Sequence, residues 1–153
     1  MRLTVYTDYA LRLLMYLAVK TDGLATISDV ATSYQISKNH LMKVAHQLGQ
    51  AGYVSTVRGR SGGLTLGKPA GSIGLGEVVR LTEPDMDIVP CFHAENQDCP
   101  LRRSCRLRAA LDRARSSFLA VLDDYTLADL TAAPEPMRFL LGIQEPLATV
   151  ARP

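Results

Sequence analysis

The chain lacks the features that mark a membrane protein or an enzyme. None of its apolar runs is long enough to cross a bilayer, so we expect a soluble, cytoplasmic protein. No Gly-Lys-Ser or Gly-Lys-Thr sequence is present, which excludes a phosphate-cradling loop of the Walker type. The three histidines, His40, His46 and His93, belong to no Ser-His-Asp set that would support catalysis. We therefore predict that the chain is not an enzyme and has no catalytic residues.

Cysteine is scarce, and its three residues are concentrated in one polar segment: Cys91, Cys99 and Cys105. An odd count without a signal-peptide pattern argues against a disulfide framework. Structural thiols pack like small apolar side chains and would be scattered through the core. Soft thiolates gathered in a loop favour a zinc ion or an iron–sulfur cluster, with redox-active thiols as the alternative. Three thiols are one short of the usual four ligands, so another residue, a partner chain or an open position must complete the site.

Positive charge is concentrated in the first half of a nearly neutral chain. Residues 1–70 contain eight Lys and Arg against three Asp and Glu, whereas residues 71–153 contain nine against twelve. A basic half on a chain of net charge +2 indicates a polyanionic partner for that half.

The first half has the periodicity of three helices, the last two of which predict a helix-turn-helix over about residues 28–51. We expect helix one to begin at Thr7 as N-cap, with Asp8 favoured by the helix dipole, and helix two to begin near Thr26 or Ser28. Helix three is predicted to begin after Ser37. Its polar face can reach bases and phosphates in a major groove and carries Lys38, Asn39, His40 and Lys43.

A glycine-rich hairpin follows directly and predicts a wing over about residues 53–66. Residues 53–57 and 64–66 alternate like strands, and the tip between them carries Arg58 and Arg60 among three glycines. The glycines allow a close approach to DNA, and Arg60 could enter the minor groove. A helix-turn-helix, a wing and a basic charge together predict a DNA-binding domain over residues 1–70.

The second half is predicted to contain the cysteine segment and a long helix, within a region of residues 71–130. A short helix over 72–82 comes first, and a long helix is predicted from Leu101 to Tyr125. Its apolar residues recur at alternating spacings of four and three, which is typical of a seam packed along another helix. A homodimer would cover this seam and match a two-fold operator, with packing against helix one as the alternative. The sequence from Thr126 to Asp129 resembles a capping box. In the tail, residues 131–153, the segment 137–143 is apolar enough to dock.

Several of these segments together resemble the iron–sulfur winged-helix repressors. The likeness covers roughly residues 1–130 and is carried by residues 1–12, 37–41, 52–54, 58–63 and 125–130. Within that family, Thr7-Asp8-Tyr9, Lys38-Asn39-His40 and the segment 125–130 are most similar to the NsrR-like nitric-oxide sensors. The resemblance implies a mainly α fold with a small β-hairpin wing, a winged helix-turn-helix plus a long dimerisation helix.

The resemblance also implies a site and a partner. It implies a homodimeric repressor of double-stranded DNA with one cluster per subunit, favouring a 4Fe–4S cluster over a 2Fe–2S cluster. Three cysteines would hold the cluster, and the fourth ligand maps onto Asp8 of the partner subunit. Within the chain, His93, Glu95 and Asp98 compete for this role, and His93 ranks second after Asp8. The residues expected to contact DNA are Ser37, Lys38, Asn39, His40, Lys43, Arg58 and Arg60.

Two departures from the family pattern keep alternatives open. The seven residues between Cys91 and Cys99 form a longer gap than is common in the family, which leaves the cluster type open. Arg108 stands where the IscR-type members have a histidine, which argues against that branch. Residues 98–101 and 139–143 are similar to the RirA-type regulators, so an iron-responsive repressor is one alternative. A zinc-structured winged-helix regulator is the other.

Overall fold

A computed structural model describes residues 2–93, 95 and 98–143. The described chain is mainly helical with one two-stranded antiparallel hairpin, which confirms the predicted fold class. No helix within this part is both long and apolar enough to cross a membrane. The elements are α1 (Val5–Val19), α2 (Ile27–Tyr34), α3 (Lys38–Gln50), β1 (Val54–Val57), β2 (Gly63–Leu66), α4 (Leu75–Thr82), α5 (Arg106–Asp123), α6 (Leu127–Leu130) and α7 (Pro134–Leu140), with short 3-10 turns at Ala70–Ser72 and Pro90–Phe92.

Helix α1 begins three residues earlier than predicted, so the assignment of Thr7 as its N-cap is wrong. Thr4 is the N-cap, and its hydroxyl accepts a hydrogen bond from the Thr7 N–H at 3.2 Å. The cause is a distant residue, because Glu83 Oε1 accepts hydrogen bonds from both the N–H and the hydroxyl of Thr4, at 2.7 and 3.0 Å. Thr7 lies buried in the first turn, and Asp8 keeps the position favoured by the helix dipole.

Helix α1 is the centre of the hydrophobic core and packs against α2, α3, α4, α6, α7 and β2. Its Leu13, Leu14 and Val19 are fully buried. Buried residues from α2, α3 and the hairpin complete one side, and Ile73, Val78 and Leu127 join the same cluster. Helix α1 therefore contacts elements of both the basic half and the second half of the chain.

The predicted helix-turn-helix is confirmed as a structural unit. Helix α2 follows Thr26, which forms a reciprocal capping box with Asp29. Gln35 takes the left-handed conformation between the two helices, and α3 begins after Ser37 as expected. The Ser37 side chain makes no cap hydrogen bond. Gly52, at φ +76°, ends the segment just past the C-terminus of α3.

Helix α5 is shorter than predicted, because residues 101–104 form a turn rather than its first turn of helix. Cys105 is the N-cap, and its sulfur accepts a hydrogen bond from the Arg108 N–H at 3.4 Å. No residue of α5 is buried in the single chain, although the helix packs against α4. Leu107 and Val121 of the predicted seam are 67% and 57% exposed.

The apolar segment 137–143 docks on the hydrophobic core, as its sequence predicted. Helix α6 begins at the expected capping box, in which Thr126 and Asp129 satisfy each other's backbone N–H groups. Ile143 is buried in the core. Arg138 of α7 donates a hydrogen bond from Nε to the Val19 carbonyl oxygen at 2.6 Å and another to the Thr21 hydroxyl. This arginine satisfies a carbonyl at the C-terminal end of α1, where helix carbonyls have no partner within the helix.

The contact between α4 and α5 depends on Gly76, and this gives a first testable prediction. The Arg80 guanidinium binds the Asp123 carboxylate at 2.6 and 2.7 Å, and a Cβ on Gly76 would lie 1.8 Å from Asp123 Oδ1. We expect Asp123→Ala to destabilise the natural chain but to have little effect after Gly76→Ala, because the added methyl already displaces the carboxylate. In the Asp123→Ala background, Gly76→Ala should stabilise α4 by roughly 0.5–1 kcal/mol through helix propensity. Denaturant unfolding of the four chains measures this coupling.

The same pair makes stability depend on pH in a defined direction. Hydrogen bonds from Arg80 lower the pKa of Asp123 below its usual value. The folded pKa is thus depressed, so the contribution is fully present above the ordinary aspartate pKa and is lost as pH falls through the folded value. Equal pH dependence in the natural chain and in Asp123→Ala would contradict this assignment.

Candidate nucleic-acid interface and metal centre

The polar face of α3 is open to solvent, as the sequence predicted. Its first turn carries Lys38, Asn39 and His40, and all three side chains are exposed, as are Ser37 before them and Lys43 one turn later. The opposite face is buried through Leu41, Val44, Ala45 and Leu48. One face of α3 is thus buried and the polar residues at its N-terminal end are exposed on the other, as in a recognition helix.

The wing is attached to the helix-turn-helix by a backbone bridge. Ala25, just before α2, exchanges both backbone hydrogen bonds with Leu64 of β2, at 2.7 and 3.0 Å. Arg58 and Arg60 are exposed at the tip of the hairpin. The tip is tight, since a Cβ on Gly62 would lie 2.4 Å from the Val57 carbonyl oxygen. The two arginines therefore extend from a turn whose position relative to α2 and α3 is fixed.

Two tyrosines join the start of α1 to the recognition helix. The Tyr6 hydroxyl donates a hydrogen bond to the Lys43 carbonyl oxygen at 3.1 Å, and the Tyr9 ring lies 6.1 Å from the His40 ring. Burial raises the pKa of Tyr6, the direction that favours the protonated phenol. Asp8 lies between these tyrosines in sequence, so side chains on both sides of it contact α3.

The Asp8 carboxylate is accessible and already has a cationic partner. Arg12 Nε lies 3.0 Å from Oδ1 and 2.9 Å from Oδ2, and the Asp8 side chain is 45% exposed. The same guanidinium lies 5.5 Å from the centre of the Tyr34 ring at the end of α2. A carboxylate paired at the surface is held weakly enough to exchange its partner for a metal.

The three cysteines are free thiols in the segment between α4 and α5. Cys91 lies in the 3-10 turn, Cys99 is exposed, and Cys105 caps α5. Arg108 connects the first and third by donating its Nε to the Cys91 carbonyl oxygen at 3.4 Å while its N–H reaches the Cys105 sulfur. A basic cavity of about 410 Å³ adjoins Cys105 and is lined by Arg102, Arg103, Ser104, Cys105, Arg106, Arg108, Ala109 and Asp112.

The donor set fits an iron–sulfur cluster by its chemistry. Three thiols in one connection are the soft ligands that iron–sulfur clusters take. Nearby arginines favour thiolates and offset the negative charge of a ligated cluster. Cys91, Cys99 and Cys105 would hold such a group.

His93, the second-ranked fourth ligand, lies beside a carboxylate. Its Nδ1 is 3.0 Å from Asp87 Oδ2. Sequence reasoning had not assigned a role to Asp87, nor to Tyr6 and Tyr9 as contacts of α3. Two features of the sequence could have indicated these roles. One is the Asp-x-Asp pattern just before the cysteine segment, and the other is the pair of tyrosines, three positions apart, on either side of Asp8.

Comparisons with known proteins identify the family. The family model Rrf2, described as an iron-dependent transcriptional regulator, matches residues 3–133. The transcriptional regulator NsrR of Bacillus licheniformis is 51% identical over 93% of this chain and 100% of its own length. NsrR of Bacillus subtilis is 50% identical over 95% of this chain and all of its own length. A Rhizobium meliloti protein named aau3 is 46% identical, with 96% of each chain covered.

Solved structures agree in fold. CymR of B. subtilis, a global cysteine regulator, superimposes with a TM-score of 0.69 at 26% identity, covering 86% of this chain and 97% of CymR. IscR of T. potens gives a TM-score of 0.69 at 22% identity, covering 90% and 91%, and supports the fold alone. These relatives are regulators of transcription, which confirms the prediction that the chain is not an enzyme. The chain belongs to the Rrf2 family of winged-helix transcriptional regulators.

Proposed function

We propose that this regulator is a homodimeric repressor whose operator binding is controlled by an iron–sulfur cluster that responds to nitric oxide. The observation that carries the proposal is the set of three free thiols, confined to the connection between α4 and α5. The relatives named NsrR, at 50% and 51% identity over their whole length, support nitric oxide as the signal. A 4Fe–4S cluster is favoured, with 2Fe–2S as the alternative.

The DNA-binding surface in this proposal combines α3 and the wing. Ser37, Lys38, Asn39, His40 and Lys43 would enter the major groove, where Asn binds adenine edges and Lys binds guanine or phosphate. Arg58 and Arg60 would reach the backbone or the adjacent minor groove. Two copies related by a two-fold axis would read two half-sites of an operator.

The exposed seam of α5 supports the homodimer. In the single chain no residue of this helix of 18 residues is buried, and its apolar side chains face solvent at Leu107 and Val121. Covering them with the same seam of a second copy gives a closed two-fold assembly. A dimer would also allow Asp8 of the partner subunit to complete the ligand set of three cysteines.

The proposed coupling between metal site and operator runs through α1. Cys91, Cys99, Cys105 and Asp8 of the partner subunit would hold the cluster, which would supply irons that react with nitric oxide. Without the cluster, Asp8 pairs with Arg12, the partner that it has in the single chain. Because Tyr6 and Tyr9 contact Lys43 and His40, a shift of the first turns of α1 displaces α3 as well. A few kcal/mol of difference between the two dimer shapes is enough to release the operator.

Iron sensing is the second candidate function. It is favoured by the description of the matching family model as an iron-dependent regulator. The same three thiols would serve, but loss of iron rather than reaction with nitric oxide would end repression.

One experiment separates these candidates and the zinc-structured alternative. The full chain is purified without air and titrated with nitric oxide or with an iron chelator while its affinity for operator DNA is measured. We expect brown protein whose operator affinity falls with substoichiometric nitric oxide and resists the chelator. Release by the chelator alone would favour iron sensing, and colourless zinc-containing protein that binds DNA regardless would overturn cluster control.

A further inference from the structure

We propose that Asp85, Asp87 and His93 form a second metal site, separate from the thiols, for a divalent first-row transition-metal ion. These three residues each offer one ligand atom, and the three atoms all lie within 4.8 Å of one another. Among the residues that the structure describes, this is the group of potential metal ligands whose donor atoms come this close together. The donors are two carboxylates and an imidazole, which suit ions such as Mn²⁺, Fe²⁺ and Zn²⁺ rather than the soft ions preferred by thiolates.

The spacing of the donors matches ligands of one ion. His93 Nδ1 and Asp87 Oδ2 are 3.0 Å apart. Two bonds of roughly 2.0–2.2 Å that meet at a right angle place their donor atoms roughly 3 Å apart. An ion can therefore enter without separating the pair, and water can occupy its remaining positions.

Each carboxylate is oriented by a donor that would remain in place when the ion binds. The Asp87 N–H donates to Asp85 Oδ1 at 2.9 Å, and Arg115 Nη1 donates to Asp87 Oδ1 at 3.3 Å, which leaves Asp87 Oδ2 toward His93. Arg115 is itself held by Asp112 at 2.6 Å and lies over the Phe92 ring at 4.7 Å. Outer hydrogen bonds of this kind fix the orientation of metal ligands.

The burial of Asp87 also favours a counter-ion at this point, because its side chain is only 15% exposed. The nearby charges are balanced: Asp85, Asp87 and Asp112 stand against Arg115, Arg2 of the adjoining cavity and Arg108 on the same Phe92 ring. A cavity of about 440 Å³ opens onto Asp85 and Asp87 between the N-terminal segment, the end of α4 and Phe118 of α5. An ion here would join Asp85 and Asp87, before Cys91, to His93, after it, and so restrain the segment that carries the first cysteine.

The test uses a tag-free chain in which Cys91, Cys99 and Cys105 are all changed to Ser, so that thiols cannot bind metal. Titration with Zn²⁺ by calorimetry and with Co²⁺ by absorption should show one equivalent per chain, and the Co²⁺ spectrum should lack thiolate charge-transfer bands. In that background, Asp87→Asn and His93→Gln should each weaken binding by at least about tenfold. Glu95→Gln removes the same charge from the same segment and should leave affinity unchanged.

The outcomes are decisive because His93 is 55% exposed and its substitution should not disturb folding. Thermal unfolding without metal checks this point for each variant. Absence of saturable binding, or an equal loss of affinity in Glu95→Gln, would overturn the site. A failure to bind metal in this test would not count against the proposed cluster, because the tested chain contains no thiols. A colourless natural protein would count against the cluster but not against this second site.

Discussion

Arg60→Ala is expected to weaken operator binding by about 1–3 kcal/mol if the side chain contacts a base. If Arg60 contacts phosphate instead, the dependence of log affinity on log salt should become shallower by about one, because one fewer counterion is released. The side chain is exposed at the tip of a hairpin that is bridged to the segment before α2. Measuring affinity at several salt concentrations distinguishes the two kinds of contact. Arg58→Ala should behave in the same way.

Two further variants test whether the position of the wing matters as well as its charge. Gly62→Ala keeps both arginines but places a methyl 2.4 Å from a backbone oxygen, so it should distort the tip and also lower affinity. Lys20→Ala removes a cation that pairs with Asp22 after α1, and it should have little effect. Equal losses in Arg60→Ala and Lys20→Ala would mean that only net charge attracts DNA, and the wing assignment would then be wrong.

Asp8→Ala is expected to remove most of the bound cluster, or to leave it far more labile, without unfolding the chain. The Asp8–Arg12 pair is about half exposed, and such pairs contribute roughly 0–1 kcal/mol to stability. Cluster content is measured by iron analysis and by the visible spectrum after anaerobic purification. Arg12→Gln breaks the same ion pair but keeps the carboxylate, so it separates loss of a ligand from loss of a surface contact.

Mixed dimers show which chain supplies the aspartate. A chain carrying Asp8→Ala is combined with a chain in which all three cysteines are Ser, and the heterodimer is isolated. If Asp8 acts across the dimer, one of its two sites has a complete ligand set, so we expect half the natural cluster content with the natural spectrum. If each chain uses its own Asp8, no site is complete. A heterodimer as cluster-poor as the Asp8→Ala homodimer would therefore contradict a ligand from the partner subunit.

The local patterns of the sequence predicted the helix-turn-helix and the hairpin because neighbouring residues determine them. The Thr26 and Thr126 capping boxes and Gly52 at a positive φ are short-range signals, and all appear at the expected elements. The start of α1 was misplaced because Glu83, 79 residues away, holds Thr4 as the cap. No pattern within the first ten residues contains that contact.

The candidate site was predictable in its residue types but not in its contacts. Three clustered thiols and an exposed face of α3 follow from composition and periodicity. The link from Tyr6 to the Lys43 carbonyl and the meeting of Asp85 with His93 depend on how α1 and the connection after α4 pack. The resemblance proposed Asp8 as a ligand, and three thiols between α4 and α5, one short of four ligands, leave a position for it.

The hydrogen bonds of Arg138 restrain the C-terminal end of α1, so a tilt of this helix would displace its N-terminal end most. They hold its C-terminal end near Val19, whereas Asp8 lies eleven residues away near the other end. At a rise of about 1.5 Å per residue the arm is roughly 16 Å long, so a tilt of about 5° displaces Asp8 by roughly 1.4 Å. Helix shifts of about 1–2 Å are sufficient to switch interfaces in allosteric proteins. If Asp8 changes its partner, a small tilt of α1 about its contact with α7 would therefore move Tyr6 and Tyr9, which contact α3.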